Sequence, residues 1–160
     1  MFSFNGGSPD LPFSVAFWMN ASDMTTSQYV IIKGEASKRE WQINIGSSKI
    51  STSVLNAAGT AYRGVTAPFT DTGVWHHFLI TYSGGGATGS FKIYIDNVES
   101  NNATLTGGTF TGMVNGTANL YFGQYNNGSY FVGLLDDVRI YNNVLSEAER
   151  ALVMNNSPLW

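Results

Sequence analysis

The stretch VWHHFLITY, residues 74–82, sets the fold class of this chain. Successive side chains of an extended chain point to opposite faces, and this stretch is apolar on both of them. A strand of that kind belongs in the middle of a structure that covers it on two sides. The next stretch, FKIYIDN at 91–97, alternates apolar and polar residues and ends on Asp96 and Asn97. Because Asn tolerates a positive φ, these two residues predict a hairpin turn.

Short strands of the same kind extend outward from this hairpin in both directions. The predicted strands are FSVAFWMN at 13–20, YVIIK at 29–33, EWQINIG at 40–46, KISTSVLN at 49–56 and NLYFG at 119–123. One helix signal stands out, LSEAERALV at 145–153, because Ser146 and Glu149 have the spacing of a capping box. We therefore predict an all-β fold, an antiparallel β-sandwich of the jelly-roll kind with one short C-terminal helix, in a single domain over residues 1–160.

The composition of the chain excludes several classes of function. Charged residues make up 12% of the 160 residues and the net charge is -3, so the chain lacks the basic patch that nucleic-acid binding requires. No apolar run approaches the roughly 18 residues of a spanning helix, so we expect no membrane insertion. The chain has no Cys, which excludes disulfides, thiol catalysis and Cys-based zinc sites.

Three segments resemble the laminin-G-like domains of the concanavalin A-like lectin/glucanase superfamily. GVWHHFLITYSGG with FKIYIDNVE, within 73–99, resembles their W-H-H hairpin, although Asn97 stands where Gly is usual. GLLDDVRIYNNVLSEAE at 133–149 resembles their C-terminal signature, and PFSVAFWMN at 12–20 is similar to their N-terminal strand. The resemblance implies a jelly roll of two antiparallel sheets that binds glycans or protein partners and often carries a structural Ca²⁺.

The sequence predicts that the chain is not an enzyme. Retaining glycosidases need two carboxylates roughly 5 Å apart, and the glucanase relatives place theirs on one strand as E-x-D-x-E. The five Glu residues, at 35, 40, 99, 147 and 149, form no such triplet. His76 and His77 are adjacent on one strand, so they face opposite sides and do not converge on one metal or one catalytic site. A polysaccharide hydrolase or lyase is therefore only a third hypothesis, after a binding function and a structural one.

The loop GQYNNGSYF at 123–131 has the composition of a glycan-binding site. Sugar recognition uses aromatic faces for stacking, with amides and hydroxyls for hydrogen bonds. The candidate ligand-binding residues are Gln124, Tyr125, Asn126, Asn127 and Tyr130, with Tyr62 and Arg63 added by TAYRG at 60–64. The loop KGEASKRE at 33–40 adds Lys33, Glu35 and Arg39. The alternative is that Asn and Gly only form turns and that Tyr only covers a loop.

The stretch GLLDDVRIY at 133–141 carries two adjacent carboxylates. Regular alternation places Asp137 on one face with Arg139 and Tyr141, where it can pair with Arg139. The other face is then the apolar one, made of Leu134, Asp136, Val138 and Ile140. An inward carboxylate at Asp136 has to be paired, hydrogen-bonded or bound to a metal.

The family resemblance makes Asp136 a candidate ligand of a structural Ca²⁺. In the glucanase relatives the equivalent Asp binds calcium together with backbone oxygens from near the N-terminus, which here implies Asn5 and Gly6. Oxygen ligands of this kind suit Ca²⁺, which would tie the first and last strands together. The alternative is that Asp136 accepts hydrogen bonds from backbone N–H groups of a loop.

We therefore expect a non-catalytic module that binds carbohydrate or mediates adhesion, as part of a larger secreted, cell-surface or virion protein. Its expected partners are a glycan or glycoprotein surface and other domains of a longer chain. Its expected location is extracellular, on a cell surface or on a virion. The alternative is a structural or protein-interaction domain of a surface or viral fibre protein.

Overall fold

The computed structural model describes residues 2–5, 9–35, 38–56, 59–126 and 128–156. In chain order the strands are β1 (Phe13–Ala21), β2 (Gln28–Glu35), β3 (Lys38–Gly46), β4 (Lys49–Leu55), β5 (Tyr62–Pro68), β6 (His76–Tyr82), β7 (Phe91–Ile95), β8 (Val98–Glu99), β9 (Ala103–Gly107), β10 (Leu120–Phe122) and β11 (Gly133–Tyr141). A 3₁₀ turn, Thr88–Ser90, precedes β7, and α1 (Glu147–Asn155) follows β11.

Two antiparallel sheets form the predicted sandwich. The five-stranded sheet has the order β11-β1-β6-β7-β8, and the six-stranded sheet has the order β10-β2-β3-β4-β5-β9. Their inner faces enclose one apolar core rich in aromatic rings. Phe4 stacks on Phe13 with 4.6 Å between ring centroids, and Trp41 lies 5.5 Å from Phe13. The prediction of an all-β sandwich with one short helix is confirmed.

Strand β6 occupies the central position that its two apolar faces predicted. It pairs with β1 on one side and β7 on the other. Phe78 and Ile80 belong to the core between the sheets, whereas Leu79 packs on the opposite face beneath the helix, with Val153. The predicted hairpin turn is also confirmed, because Asp96 and Asn97 have φ angles of 49° and 65°.

Helix α1 begins at the predicted capping box. The Ser146 side chain accepts a hydrogen bond from the Glu149 backbone N–H, and the Glu149 carboxylate accepts one from the Ser146 N–H at 2.7 Å. The helix is held on the outer face of the five-stranded sheet, where the guanidinium carbon of Arg150 lies 4.0 Å from the Tyr94 ring centroid. A cation over an aromatic face at this distance adds to the apolar packing.

Two β-bulges reset the side-chain alternation of the six-stranded sheet. Between β2 and β3, Tyr29 pairs with Asn44 and Ile31 with Ile43, so β2 carries one extra residue at Val30. Further along, Lys33 pairs with Trp41 but Gly34 pairs with Arg39, so β3 carries one extra residue at Glu40. A bulge moves every residue beyond it to the opposite face relative to unbroken alternation.

The bulge at Glu40 creates a buried ion pair. The Lys33 ammonium lies 3.0 Å from the Glu40 carboxylate, and the two side chains are only 6% and 0% exposed. The Glu40 carboxylate also accepts a hydrogen bond from the Gly116 N–H at 3.0 Å, and the Lys33 ammonium donates to the Ala118 carbonyl. These bonds hold the segment that precedes β10 against strands β2 and β3.

A third bulge shows that the predicted alternation in β11 was wrong. Arg139 pairs with Ala16 and Asp136 with Trp18, so two residues of β11 stand opposite Phe17. Asp137 is one of them, and its φ of 47° lies in the left-handed region. The bulge places Leu135, Val138 and Ile140 against the core. Leu134, which regular alternation placed inward, is instead 59% exposed.

The same bulge turns Asp136 away from the core and leaves the predicted ion pair intact. Asp136 lies beside Trp18 in the register of the five-stranded sheet and shares the outer face with it. The Arg139 Nε atom lies 2.7 Å from the Asp137 carboxylate, which confirms that pair. The physical reason for the error is that a bulge depends on pairing with β1, which local alternation does not contain.

The Lys33–Glu40 pair predicts an asymmetric response to mutation. The substitution Lys33→Met leaves a buried carboxylate without its cation and is expected to lower the free energy of unfolding by about 3–5 kcal/mol. The double substitution Lys33→Met with Glu40→Leu should recover most of that loss, because both charges are removed together. Urea unfolding measures each value.

An exposed ion pair supplies the matched control for this experiment. Lys92 and Glu99 pair at 2.8 Å with both side chains nearly half exposed, so Lys92→Met should cost less than about 1 kcal/mol. Equal losses for Lys33→Met and Lys92→Met, or a double variant as unstable as Lys33→Met alone, would contradict the role given to the buried pair.

Candidate functional site

The outer face of the six-stranded sheet is a polar surface flanked by tyrosines. Gln42 and Asn44 alternate with core residues along β3, and they pair in register with Ser53 and Ser51 of β4. We call this surface the polar face, and its members are Tyr29, Arg39, Gln42, Asn44, Ser51, Ser53, Tyr62 and Tyr121. Most of its hydrogen-bonding groups are neutral amides and hydroxyls.

The two bulges of this sheet bring Arg39 and Tyr29 onto the polar face. Without the extra residue at Glu40, Arg39 would point inward with Trp41. Its guanidinium instead donates from Nη1 to the Tyr29 hydroxyl and to the Gln42 side-chain oxygen, both at 3.3 Å. These two hydrogen bonds hold the Arg39 side chain on the polar face, and both partner groups are uncharged.

Tyr125 joins this cluster from the loop that precedes β11. Its ring centroid lies 4.7 Å from that of Tyr29, and the guanidinium carbon of Arg39 lies 5.8 Å from it. Burial raises the pKa of the Tyr125 phenol, while the charge of Arg39 acts in the opposite direction. The phenol is therefore a neutral hydrogen-bonding group at physiological pH.

Two cavities adjoin the Arg39–Tyr125 contact. The larger, of about 270 Å³, is lined by Arg39, Gln42, Asn44, Ser51, Ser53, Leu55, Gly59, Tyr62 and Leu105. The smaller, of about 130 Å³, is lined by Gly34, Glu35, Tyr121, Gln124, Tyr125 and Asn126. Because Arg39 lines one cavity and lies 5.8 Å from the Tyr125 ring that lines the other, we treat the two cavities together as one candidate site.

The structure brings together four of the residues that the sequence proposed for ligand binding. Gln124, Tyr125 and Asn126 line the smaller cavity, and Tyr62 lines the larger one. A tight turn shapes this loop: the Tyr125 and Gly128 backbones exchange hydrogen bonds at 3.2 and 3.0 Å. Asn127 lies outside the described residues.

Two further proposed residues lie elsewhere. Tyr130 is 56% exposed and lines neither cavity. Arg63 pairs in register with core residue Val54, on the side of β5 opposite Tyr62. Its guanidinium donates to the carbonyls of Tyr62 at 2.7 Å and Gly107 at 3.3 Å, so it ties β5 to β9.

The sequence interpretation missed the strand residues of the site. Gln42, Asn44, Ser51 and Ser53 are polar positions that alternate with apolar ones in β3 and β4, and this alternation was the available signal. Arg39 and Glu35 were candidates from the loop at 33–40, and each lines one of the two cavities, whereas Lys33 instead pairs with Glu40. Tyr29 gave no signal, because a bulge decides which face it occupies.

The proposed calcium ligands are not brought together. Asn5 follows Phe4, which stacks on Phe13 at the start of β1, and its amide donates to the Met113 carbonyl. Asp136 pairs with Trp18, five positions further along β1, which corresponds to roughly 16 Å of extended chain. Gly6 lies outside the described residues. Calcium binding therefore stays a prediction of the family resemblance.

The Asp136 carboxylate has a hydrogen-bonded role within its own strand. Its Oδ1 atom accepts a hydrogen bond from the Asp137 N–H at 2.8 Å, which supports the left-handed residue of the bulge. Within the described ranges there is also no group of three or more His, Asp or Glu side chains placed to hold a metal ion.

The adjacent histidines face opposite sides of β6, and one carboxylate serves both. The Asp96 carboxylate lies 2.7 Å from Nδ1 of His76 and accepts a hydrogen bond from the His77 N–H at 2.9 Å. The His77 ring is buried and lies edge-on to Trp18, with 5.4 Å between centroids. Burial lowers the pKa of His77 from 6.5 to about 4, although the charge of Asp96 favours protonation.

This low pKa predicts a loss of stability in acid. Between pH 6.5 and 4 the unfolded chain binds a proton at His77 that the folded chain does not, so stability falls as the pH is lowered through this window. The expected loss attributable to His77 is about 2 kcal/mol by pH 4. Urea unfolding of the wild type and of His77→Gln at pH 7, 5.5 and 4 measures it, and parallel pH profiles would contradict it.

Calcium gives a second test of this region. The family resemblance predicts that saturating calcium raises the melting temperature of the protein above its value in EDTA, because an ion that binds only the folded chain stabilises it. Differential scanning calorimetry makes the comparison. A rise that disappears in Asp136→Asn would assign the ion to this carboxylate, and a melting temperature unaffected by calcium would contradict the prediction.

Solved structures with the same fold come from toxin binding domains. The botulinum neurotoxin serotype D binding domain matches with a TM-score of 0.67 and 14% identity, over 91% of this chain and 37% of that chain. The binding domain of Paraclostridial Mosquitocidal Protein 1 matches with a TM-score of 0.64 and 15% identity, over 91% of this chain and 37% of that chain. This chain thus spans less than half of those structures, and the likeness shows the fold.

Sequence comparison identifies the family. A search of curated proteins found no match. None of the helices in the described ranges is long and apolar enough to cross a membrane. A laminin G family model, described as concanavalin A-like lectin/glucanases superfamily, matches residues 4–149. With its two antiparallel sheets and W-H-H hairpin, the chain belongs to the laminin-G-like branch of the concanavalin A-like lectin/glucanase superfamily.

Proposed function

We propose that the chain is a non-catalytic module that binds carbohydrate, and through it mediates adhesion, by way of the polar face. The observation that carries the proposal is the cluster of Tyr29, Tyr125 and Arg39 between two cavities lined by amides and hydroxyls. Sites for small polar ligands combine a concave surface with a few well-placed hydrogen-bonding groups.

The chemistry of the polar face suits sugar rings. Tyrosine faces pack against the C–H groups of a pyranose, while Gln42 and Asn44 offer both donors and acceptors to its hydroxyls. Ser51 lies opposite Asn44 in the sheet and adds a hydroxyl to the same row. Because these groups stand on paired strands, little side-chain and backbone freedom is lost when a ligand binds.

The arrangement of acids supports a binding role over hydrolysis. A glycosidase requires two carboxylates across the scissile bond. Of the residues that line the two cavities of the site, Glu35 is the acidic one. The acids of β11 serve the bulge and the Arg139 pair instead.

We place this module in a larger secreted, cell-surface or virion protein, with a glycan or glycoprotein surface as its partner. The similar solved structures are binding domains of toxins, and the chain spans 37% of the serotype D neurotoxin structure. A module of this size joined to others gains avidity from linked binding events, so modest affinity for a glycan suffices.

A second candidate function is a structural or protein-interaction domain of a surface or fibre protein. The observation that favours it is a set of exposed apolar side chains on β10, on β11 and in the segment between them. Its members are Phe122, Tyr130, Val132 and Leu134, each about half exposed. Light scattering distinguishes the candidates, since a stable dimer that Leu134→Ser converts to a monomer would favour a self-association role.

The proposed function predicts which tyrosines matter. A glycan array identifies a bound saccharide, and calorimetry with that saccharide then compares variants. Tyr125→Ala and Tyr29→Ala are each expected to weaken binding about tenfold, because each removes an aromatic face of the site. Tyr130→Ala is the control: its ring is exposed and lines neither cavity, so its affinity should stay at the wild-type value.

Two outcomes would count against this proposal. The first is an array on which the wild-type protein binds no saccharide. The second is a saccharide whose affinity is unchanged in Tyr125→Ala and Tyr29→Ala although both variants remain folded. Thermal unfolding of each variant provides the check on folding.

A further inference from the structure

Arg39 is a cation on the polar face without a carboxylate beside it. Three other cations of the described residues pair directly with acids: Lys33 with Glu40, Lys92 with Glu99, and Arg139 with Asp137. No salt bridge among those residues includes Arg39, whose hydrogen-bond partners are the neutral side chains of Tyr29 and Gln42. The Arg39 guanidinium therefore lines the larger cavity without a direct ion pair among the described residues, and Glu35 is the acid that lines the smaller cavity.

The geometry of Arg39 leaves most of its donors available to a ligand. Both of its hydrogen bonds leave from Nη1, and among the described residues Nη2 and Nε make none. The side of Nη2 faces Gly59, which lines the same cavity and has no side chain to cover the guanidinium. A guanidinium with a free edge matches the planar, two-oxygen shape of a carboxylate.

We propose that Arg39 makes the site selective for an acidic saccharide, a sugar ring that carries a carboxylate. The inference rests on the proposed carbohydrate-binding function. The carboxylate binds the free edge of the guanidinium, the ring packs beside Tyr125, and the ring hydroxyls bond to Asn44 and Ser51 of the larger cavity. Partial burial strengthens the ion contact, because the neighbouring rings exclude water from it.

The charge of the whole chain limits how many anionic groups the site accepts. The chain carries 8 Lys and Arg against 11 Asp and Glu, so its field repels a densely charged polyanion at long range. Recognition through Arg39 is a single ion contact. Binding should therefore weaken only modestly between low and physiological salt.

The experiment compares acids with their neutral esters. The probes are trigalacturonate, an alginate trimer and sialyllactose, each titrated by calorimetry beside its methyl ester, which keeps the sugar and removes the charge. At least one acid is expected to bind the wild-type protein about tenfold more tightly than its ester, because a hydrogen-bonded ion pair is lost in the ester. Raising the salt concentration should reduce this preference modestly.

Three variants assign the preference to Arg39. Arg39→Gln should bind acid and ester with equal affinity, and Arg39→Lys should restore only part of the preference because lysine lacks the planar fork. Lys49→Gln is the charge-matched control. Lys49 is exposed on β4 and lines neither cavity, so this variant should keep the full preference.

The outcomes separate this inference from the proposed function. Acids and esters that bind equally, or a preference that survives in Arg39→Gln, overturn the selectivity and leave carbohydrate binding in place. A preference lost equally in Lys49→Gln overturns it as well, because it then reflects overall charge. A protein that binds none of these saccharides and none on a glycan array overturns both.

Discussion

The phase of side-chain alternation is the constraint on which the rest of the structure depends. A sandwich needs apolar residues on the inner face of every strand. At three points strict alternation would turn apolar residues outward, and a bulge there returns them to the inner face. At Val30 the bulge keeps Val30 and Ile31 both in the core, and at Glu40 it buries Glu40 beside Trp41. The bulge at Asp137 does the same in β11, where Leu135 and Val138 both face inward.

Each bulge also has a consequence on the opposite side of its sheet. The extra residue at Glu40 turns Arg39 outward onto the polar face, where it meets Tyr29 and Tyr125. The same residue supplies the carboxylate that holds Lys33 and the Gly116 backbone at the end of the sandwich. Stability and the candidate site are therefore linked through one irregularity in β3, since the change of phase that buries Glu40 also exposes Arg39.

The two faces of the sandwich have different roles. The outer face of the five-stranded sheet is covered by α1 and carries His77, whose buried neutral ring belongs to the structure. The outer face of the six-stranded sheet is not packed beneath α1 and presents tyrosines, amides and one cation around two cavities. We place the proposed binding site on the second face, because the helix covers the outer surface of the first.

Local patterns in the sequence determined the elements themselves. The two apolar faces of residues 76–82 fixed β6 at the centre of its sheet, and Ser146 with Glu149 fixed the start of α1. The sequence predicted part of the site: the composition of the loops at 124–126 and 33–40 indicated Tyr125 and Arg39, whereas Tyr29 gave no signal. Only the tertiary structure decided which face of its sheet each of Arg39, Tyr29 and Asp136 occupies. A bulge arises from pairing with a distant strand, and a shift of one residue moves every side chain beyond it to the opposite face.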